Sequence, residues 1–151
     1  MGSYVGLSAA IRLPDIIKKV ITLGTKFEWS IESSEREVKM LDPNIIEIKV
    51  AQFAKKLEEE HHPNDWKQLM LKTGRMMINM GKGSKLKDEN LRSIYQPVIV
   101  GIGSLDHMVS FEESEYASNL MPNSKIINLE GVKHSLEKND VNDLANFIIS
   151  N

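Results

Sequence analysis

Cysteine is absent from this chain of 151 residues, which excludes disulfides and thiolate metal sites and fits a reducing cytoplasm. An excess of one charge is also missing. The formal net charge is −2 and no basic stripe stands out, so no global field recruits nucleic acid or an anionic membrane. Apolar runs are short and broken by charge, and none spans a bilayer. The opening "MGSYVGLSAA" has no basic segment followed by a long apolar core, which argues against a signal peptide. Internal repeats and low-complexity tracts are lacking too. What remains is 41% hydrophobic and 26% charged residues, the balance of a soluble globular protein at a length that suits one compact domain rather than two. The expectation is a soluble cytoplasmic protein.

Residues 4–13, "YVGLSAAIRL", predict a helix that packs closely on another element, because Gly6, Ser8, Ala9 and Ala10 let backbones approach. "KKVITLGT", residues 18–25, is a β-branched run ending in glycine and predicts a buried strand. From Glu28 to about Gly83 the chain is polar and helical in period. Asp42–Pro43 has the form of an N-cap with proline at the first helical position. The helix it opens runs through "NIIEIKVAQFAKKLEEEHH" with a kink near Val50. Asn64 is positioned to cap the next helix, in which Trp66, Leu69, Met70, Thr73, Met76, Met77 and Met80 recur at helical spacing, with Gly81 at the C-terminal turn. "GKGSKLKDE" is expected to be a flexible connection.

Strand signals return with "PVIVGIG" (97–103). A helix through "SFEESEYASNLM" comes next, where Ser110 and Glu113 can form a capping box. "SKIINL" (124–129) predicts a further strand and "DVNDLANFIIS" an amphipathic terminal helix. Strands alternating with helices imply an α/β fold with a parallel sheet. Three strands are few for helices to cover on both faces, so the sheet these residues form is expected to be part of a larger one.

Asp106 follows the second strand and His134 the third. In a parallel sheet the C-terminal ends of the strands line one edge, where ligands bind. Two such turns can bring a carboxylate and an imidazole together, the carboxylate fixing the ring's tautomer and leaving the other nitrogen as a general base for a hydroxyl. The alternative for Asp106 is a structural one, holding the turn it stands in. His107 is expected to point elsewhere. The histidines of "EEEHHPND" (58–65) point in different directions on a helix and lack a metal-ligand spacing, so no metal is expected, and the glutamate run is read as a solvated face. "GKGSK" lacks the P-loop pattern.

These stretches resemble the α/β-hydrolase family. "GIGSLDHMV" is similar to that family's acid-bearing turn, "LEGVKHSLEKND" to its histidine loop, and "PVIVGIG" to the strand before the acid. "MGSYVGLSAA" is similar to the segment immediately after the nucleophile in the G-x-S-x-G elbow. The resemblance implies a partial α/β-hydrolase fold: parallel strands with flanking helices and an inserted helical cap. It implies three regions: 1–27, the elbow helix and a core strand; 28–90, the cap; and 91–151, the core that carries the acid and histidine. Asp106 and His134 become the catalytic acid and base. Met1 and Gly2 become the oxyanion and elbow remnant, with the nucleophile, serine or aspartate, one residue before Met1. Ser3 does not substitute, since Val5 stands where the elbow needs glycine. Trp29, Met76, Met77 and Met80 are candidates for an apolar pocket; packing between cap helices is the alternative for the methionines.

The implied activity is hydrolysis of an ester or similar acyl bond of a small molecule, without a cofactor, nucleic acid or membrane span. The alternative is a catalytically inactive remnant that binds a partner or pairs with a second copy through an uncovered sheet edge.

Overall fold

The computed structural model describes residues 2–151; Met1, and the oxyanion role expected for it, lie outside the described residues. In chain order the elements are α1 (Gly2–Arg12), β1 (Val20–Leu23), α2 (Ile31–Lys39), α3 (Pro43–Lys49), α4 (Ala51–His61), α5 (Trp66–Asn79), α6 (Asp88–Arg92), β2 (Val98–Leu105), α7 (Phe111–Leu120), β3 (Ser124–Lys133) and α8 (Val141–Ile149). They fall into two compact units, one made of residues 1–28 with 86–151 and the other of residues 29–85.

The first unit is built on a parallel sheet in the order β1-β2-β3. Its middle strand is the most apolar, and Val98 to Gly103 are all buried, as a strand covered on both faces requires. Alternation along β2 sends Val98 and Val100 to one face, where Leu7 and Ala10 of α1 and Ala117 of α7 close the main core. The small residues of α1 do the work expected of them: a Cβ on Gly6 would lie 3.5 Å from Val20. On the opposite face a Cβ on Gly101 would stand 2.7 Å from the Phe147 ring of α8, so this glycine lets the terminal helix seat on the sheet. Residues 86–90, grouped with the insertion on sequence, belong to this unit, and Leu86 and Leu91 pack in its core.

The second unit is helical. Asp42 caps α3 by accepting from Asn44 N at 2.9 Å, with Pro43 in the first turn. The chain breaks at Val50, with φ −141°, before α4. Ile46, Ala54, Leu57 and Trp66 form its core, with Met70 packed against them. Two expectations are corrected here. Asp65, not Asn64, caps α5, its Oδ1 accepting from Lys67 N at 2.8 Å and Gln68 N at 3.3 Å; one residue later on the chain, it is the carboxylate that meets the free N–H groups. The glycine-rich stretch is not a loose connection. Residues Met80–Ser84 form a wide helical turn, and a Cβ on Gly81 would meet the Ser30 carbonyl at 2.6 Å, so the glycine packs the turn onto α2. The glutamates of α4 pair along the helix, Lys55 with Glu59 at 3.8 Å and Lys56 with Glu60 at 3.6 Å.

Candidate active site

β2 ends at Leu105, and Asp106 N donates to Gly103 O at 3.0 Å as the chain turns. Asp106 Oδ1 accepts from Met108 N at 2.9 Å and Val109 N at 3.0 Å. The aspartate therefore holds its own turn, as the structural reading requires. It also faces an imidazole. His134 Nδ1 lies 2.9 Å from Oδ2 and 3.1 Å from Oδ1. An ionised carboxylate only accepts, so Nδ1 carries the proton and the neutral ring presents Nε2 with a free lone pair. The Asp106 side chain is 1% exposed and that of His134 34%: the carboxylate is sealed in and the imidazole reaches the surface. His107 is exposed.

Three further features aim the imidazole. From the Gly103–Leu129 pair to the Leu105–Lys133 pair β2 advances two residues and β3 four; the excess forms a bulge at Glu130–Val132, with Gly131 at φ +74°. Bulges of this kind re-aim side chains at sheet ends. Gly103 makes the crossing possible, because a Cβ there would collide with the Val132 carbonyl. Beyond the strand, the Asn139 side chain brackets the histidine: Oδ1 accepts from Lys133 N at 2.7 Å, and Nδ2 donates to Lys133 O at 2.9 Å and Ser135 O at 3.0 Å.

The sequence reading missed Gly24. It follows β1 at φ +56°, and a Cβ on it would lie 3.0 Å from Asp106 Oδ2 and 3.4 Å from His134 Nδ1. A glycine closing a strand was visible in "VITLGT", but nothing in it named the neighbours. Glu113 was legible only as a cap. Its Oε2 faces Ser110 N at 3.5 Å, while Oε1 accepts from Phe27 N at 2.9 Å and Glu28 N at 3.2 Å, in the segment that leads away from Gly24.

Gly2 opens α1, and a Cβ on it would meet nothing within 4 Å, so no contact demands a glycine there. In the helical unit Trp29 and Met80 are buried and Met76 and Met77 half-buried. A cavity of about 840 Å³ in that unit is lined by other residues, among them Val38, Leu41, Met70 and Ile78. Among the described residues no cluster of three or more histidine, aspartate or glutamate side chains is placed to hold a metal ion, and no helix is long and apolar enough to cross a membrane.

No family model and no curated protein matches the sequence. Solved structures do. NosK from Streptomyces actuosus superposes with a TM-score of 0.78 at 15% identity, over 99% of this chain and 64% of its own. A thermophilic esterase from Thermogutta terrifontis gives 0.66 at 17%, over 99% and 60%. MGS-M2, an α/β hydrolase from a deep-sea metagenome library, gives 0.64 at 15%, over 99% and 61%. The fold is thus part of the α/β-hydrolase fold, consistent with its C-terminal portion, and the chain spans about three fifths of the length of these structures.

Proposed function

We propose that these 151 residues carry the acid and base of a serine-type α/β hydrolase acting on an ester or similar acyl bond of a small molecule, with the nucleophile supplied by polypeptide outside them. The observation that carries this reading is the Asp106–His134 pair, 2.9 Å apart at the shared C-terminal edge of β2 and β3. In that role His134 Nε2 takes the proton from the nucleophile's hydroxyl as it attacks the acyl carbon, and returns it to the leaving group. Asp106 keeps Nδ1 protonated and stabilises the imidazolium that forms between the two transfers. The fold supports the reading, since a structural neighbour is described as an esterase. In this reading the insertion expected at residues 28–90 is the cap, with Trp29, Met76, Met77 and Met80 as candidates for its apolar pocket.

The test is active-site labelling with a fluorophosphonate. The 151-residue chain alone is expected to stay unlabelled. Joined or mixed with a polypeptide that supplies a strand and G-x-S, it is expected to give a labelled serine whose reaction is lost in His134→Ala. Labelling of Ser3 in the chain alone, dependent on His134, would overturn the proposal.

A second reading is favoured by one observation. Among the described residues β1 has a sheet neighbour on one side only, and Val5 and Ile16, before and after α1's end, are each 68% exposed. Here the chain is a self-associating or partner-binding module, the open edge of β1 pairing with a second copy. Light scattering across a concentration series distinguishes it: a dimer that dissociates on dilution supports it, and a monomer throughout sinks it.

A further inference from the structure

We propose that Glu113 is a positioning residue for the Asp106–His134 pair, acting through the segment that starts at Gly24. A glutamate at the third position of a helix ordinarily reaches back to the N-cap N–H. In Glu113 that contact is the longest of three, at 3.5 Å to Ser110 N, whereas Phe27 N and Glu28 N approach to 2.9 and 3.2 Å. The carboxylate therefore serves the loop after β1 more closely than its own helix. Hydrogen bonds to a charged acceptor are about twice as strong as neutral ones, so two on one oxygen make a firm anchor.

What the anchor holds is short. Gly24 N is tied to Gly101 O at 3.0 Å at one end, and the Phe27 and Glu28 amides are tied to Glu113 at the other. Phe27 itself is buried in the main core. Two residues between fixed ends have little freedom, and Gly24 is the residue whose α-carbon lies against Asp106 Oδ2 and His134 Nδ1. The other side of the pair is joined to the same carboxylate. The turn in which Asp106 Oδ1 accepts from Met108 N and Val109 N runs directly into Ser110, whose N donates to Glu113 Oε2 at 3.5 Å. One side chain thus ties together the loops that flank the dyad, and the backbone wall behind the carboxylate keeps its shape because Glu113 holds it.

The inference rests on the acid–base role proposed for the pair, so its test reads the pair's geometry rather than turnover. The full chain is labelled with ¹⁵N, and the ring shifts of His134 and its downfield Nδ1–H proton are recorded for the wild type, Glu113→Ala, Glu113→Asp, Glu113→Gln and Ser110→Ala. Glu113→Ala, and Glu113→Asp whose carboxylate is one methylene too short to reach both amides, are expected to speed exchange of that proton with water by about tenfold, the loosening expected from loss of a charge-assisted bond. Glu113→Gln keeps a carbonyl oxygen of the right reach for Phe27 N and Glu28 N but not its charge, and is expected to speed the exchange less than Glu113→Asp does. Ser110→Ala weakens α7 through its cap and is expected to leave the signal unchanged. Should Glu113→Ala fail to fold, the Asp and Gln variants decide the matter between them. Wild-type exchange in Glu113→Asp, or equal loosening in Ser110→Ala, overturns the positioning role while leaving the pair intact. A wild type without the downfield proton and the Nδ1–H shift pattern overturns the pairing, and the proposed function with it.

Discussion

Gly24 closes the back of the dyad: its α-carbon faces the Asp106 carboxylate and the His134 imidazole so closely that a methyl group there would stand 3.0 Å from Oδ2 and 3.4 Å from Nδ1. Neither neighbour can give way cheaply, since the carboxylate is also held by two backbone amides of its turn. The backbone adds a second obstacle, because φ +56° costs a non-glycine residue about 1–2 kcal/mol. Gly24→Ala is therefore expected to destabilise the chain by about 2–3 kcal/mol in urea unfolding, from backbone strain together with overpacking. It should also displace the His134 ring resonances. A variant as stable as the wild type would mean that the wall behind the pair is soft.

Asp106→Asn separates the two jobs of the aspartate. The amide oxygen can still accept from Met108 N and Val109 N, so the turn survives and stability is expected to fall by no more than about 1 kcal/mol. The amide NH₂ then faces His134 Nδ1 and donates to it, which forces the ring proton onto Nε2. Ring ¹⁵N shifts are expected to report the exchanged tautomer, the form that cannot act as a base toward a hydroxyl. Asp106→Ala, which strands both amides, should cost about 1–3 kcal/mol more than the asparagine. An unchanged tautomer in Asp106→Asn would contradict the bonding described for the pair.

How far this site could be read from sequence depended on the range of each interaction. The strand-then-turn signals at "PVIVGIG" and "SKIINL" placed Asp106 and His134 on one sheet edge, because parallel topology alone decides which ends align. The predicted third strand stopped at Leu129, whereas β3 runs on to Lys133. The bulge that carries it there depends on Gly103 and Val132 meeting across two strands, and hydrophobic periodicity carries no trace of such a contact. Ser110 and Glu113 were legible as a capping box because a capping box is local. The bonds from Phe27 and Glu28 to the same carboxylate span more than 80 residues and could not be. The displaced cap at Asp65 has a different cause: asparagine and aspartate stand side by side, both are good N-caps, and the first turn of α5 selects between them.

Thr25 Oγ1 and Ser114 Oγ are the two buried side-chain oxygens without a hydrogen-bond partner among the described residues. Burying an unpaired hydroxyl costs about 1–3 kcal/mol, and these two are chain neighbours of Gly24 and Glu113. Ser114→Ala removes the hydroxyl and adds helix propensity within α7; it is expected to raise stability by about 1 kcal/mol. Thr25→Val keeps the shape and is expected to be neutral or stabilising, against the usual penalty for that exchange. The midpoints of urea unfolding check both. A loss above about 1 kcal/mol in either variant would show that the hydroxyl has a partner worth keeping.

Tyr4 gives the chain an alkaline limit with a definite sign. Its ring is tilted against Phe27 with centroids 6.5 Å apart, and its Oη accepts from Leu86 N at 2.9 Å. Burial raises the pKa of this phenol above the ordinary tyrosine value, and the bond from Leu86 N lowers it by a smaller amount. The native state therefore keeps a proton that the unfolded chain gives up first. Tyr4's contribution is complete below the unfolded pKa near 10 and is lost as pH rises through the higher native value. Tyr4→Phe lacks this titration and leaves Leu86 N unpaired. At about pH 7 the variant is expected to be less stable than the wild type by about 1–2 kcal/mol. The gap should narrow steadily above about pH 10, because only the wild type loses stability through this group. Urea midpoints measured for both proteins from about pH 7 to about pH 11.5 would test the sign, and a gap that widened with pH would mean that the phenolate is the form the fold prefers.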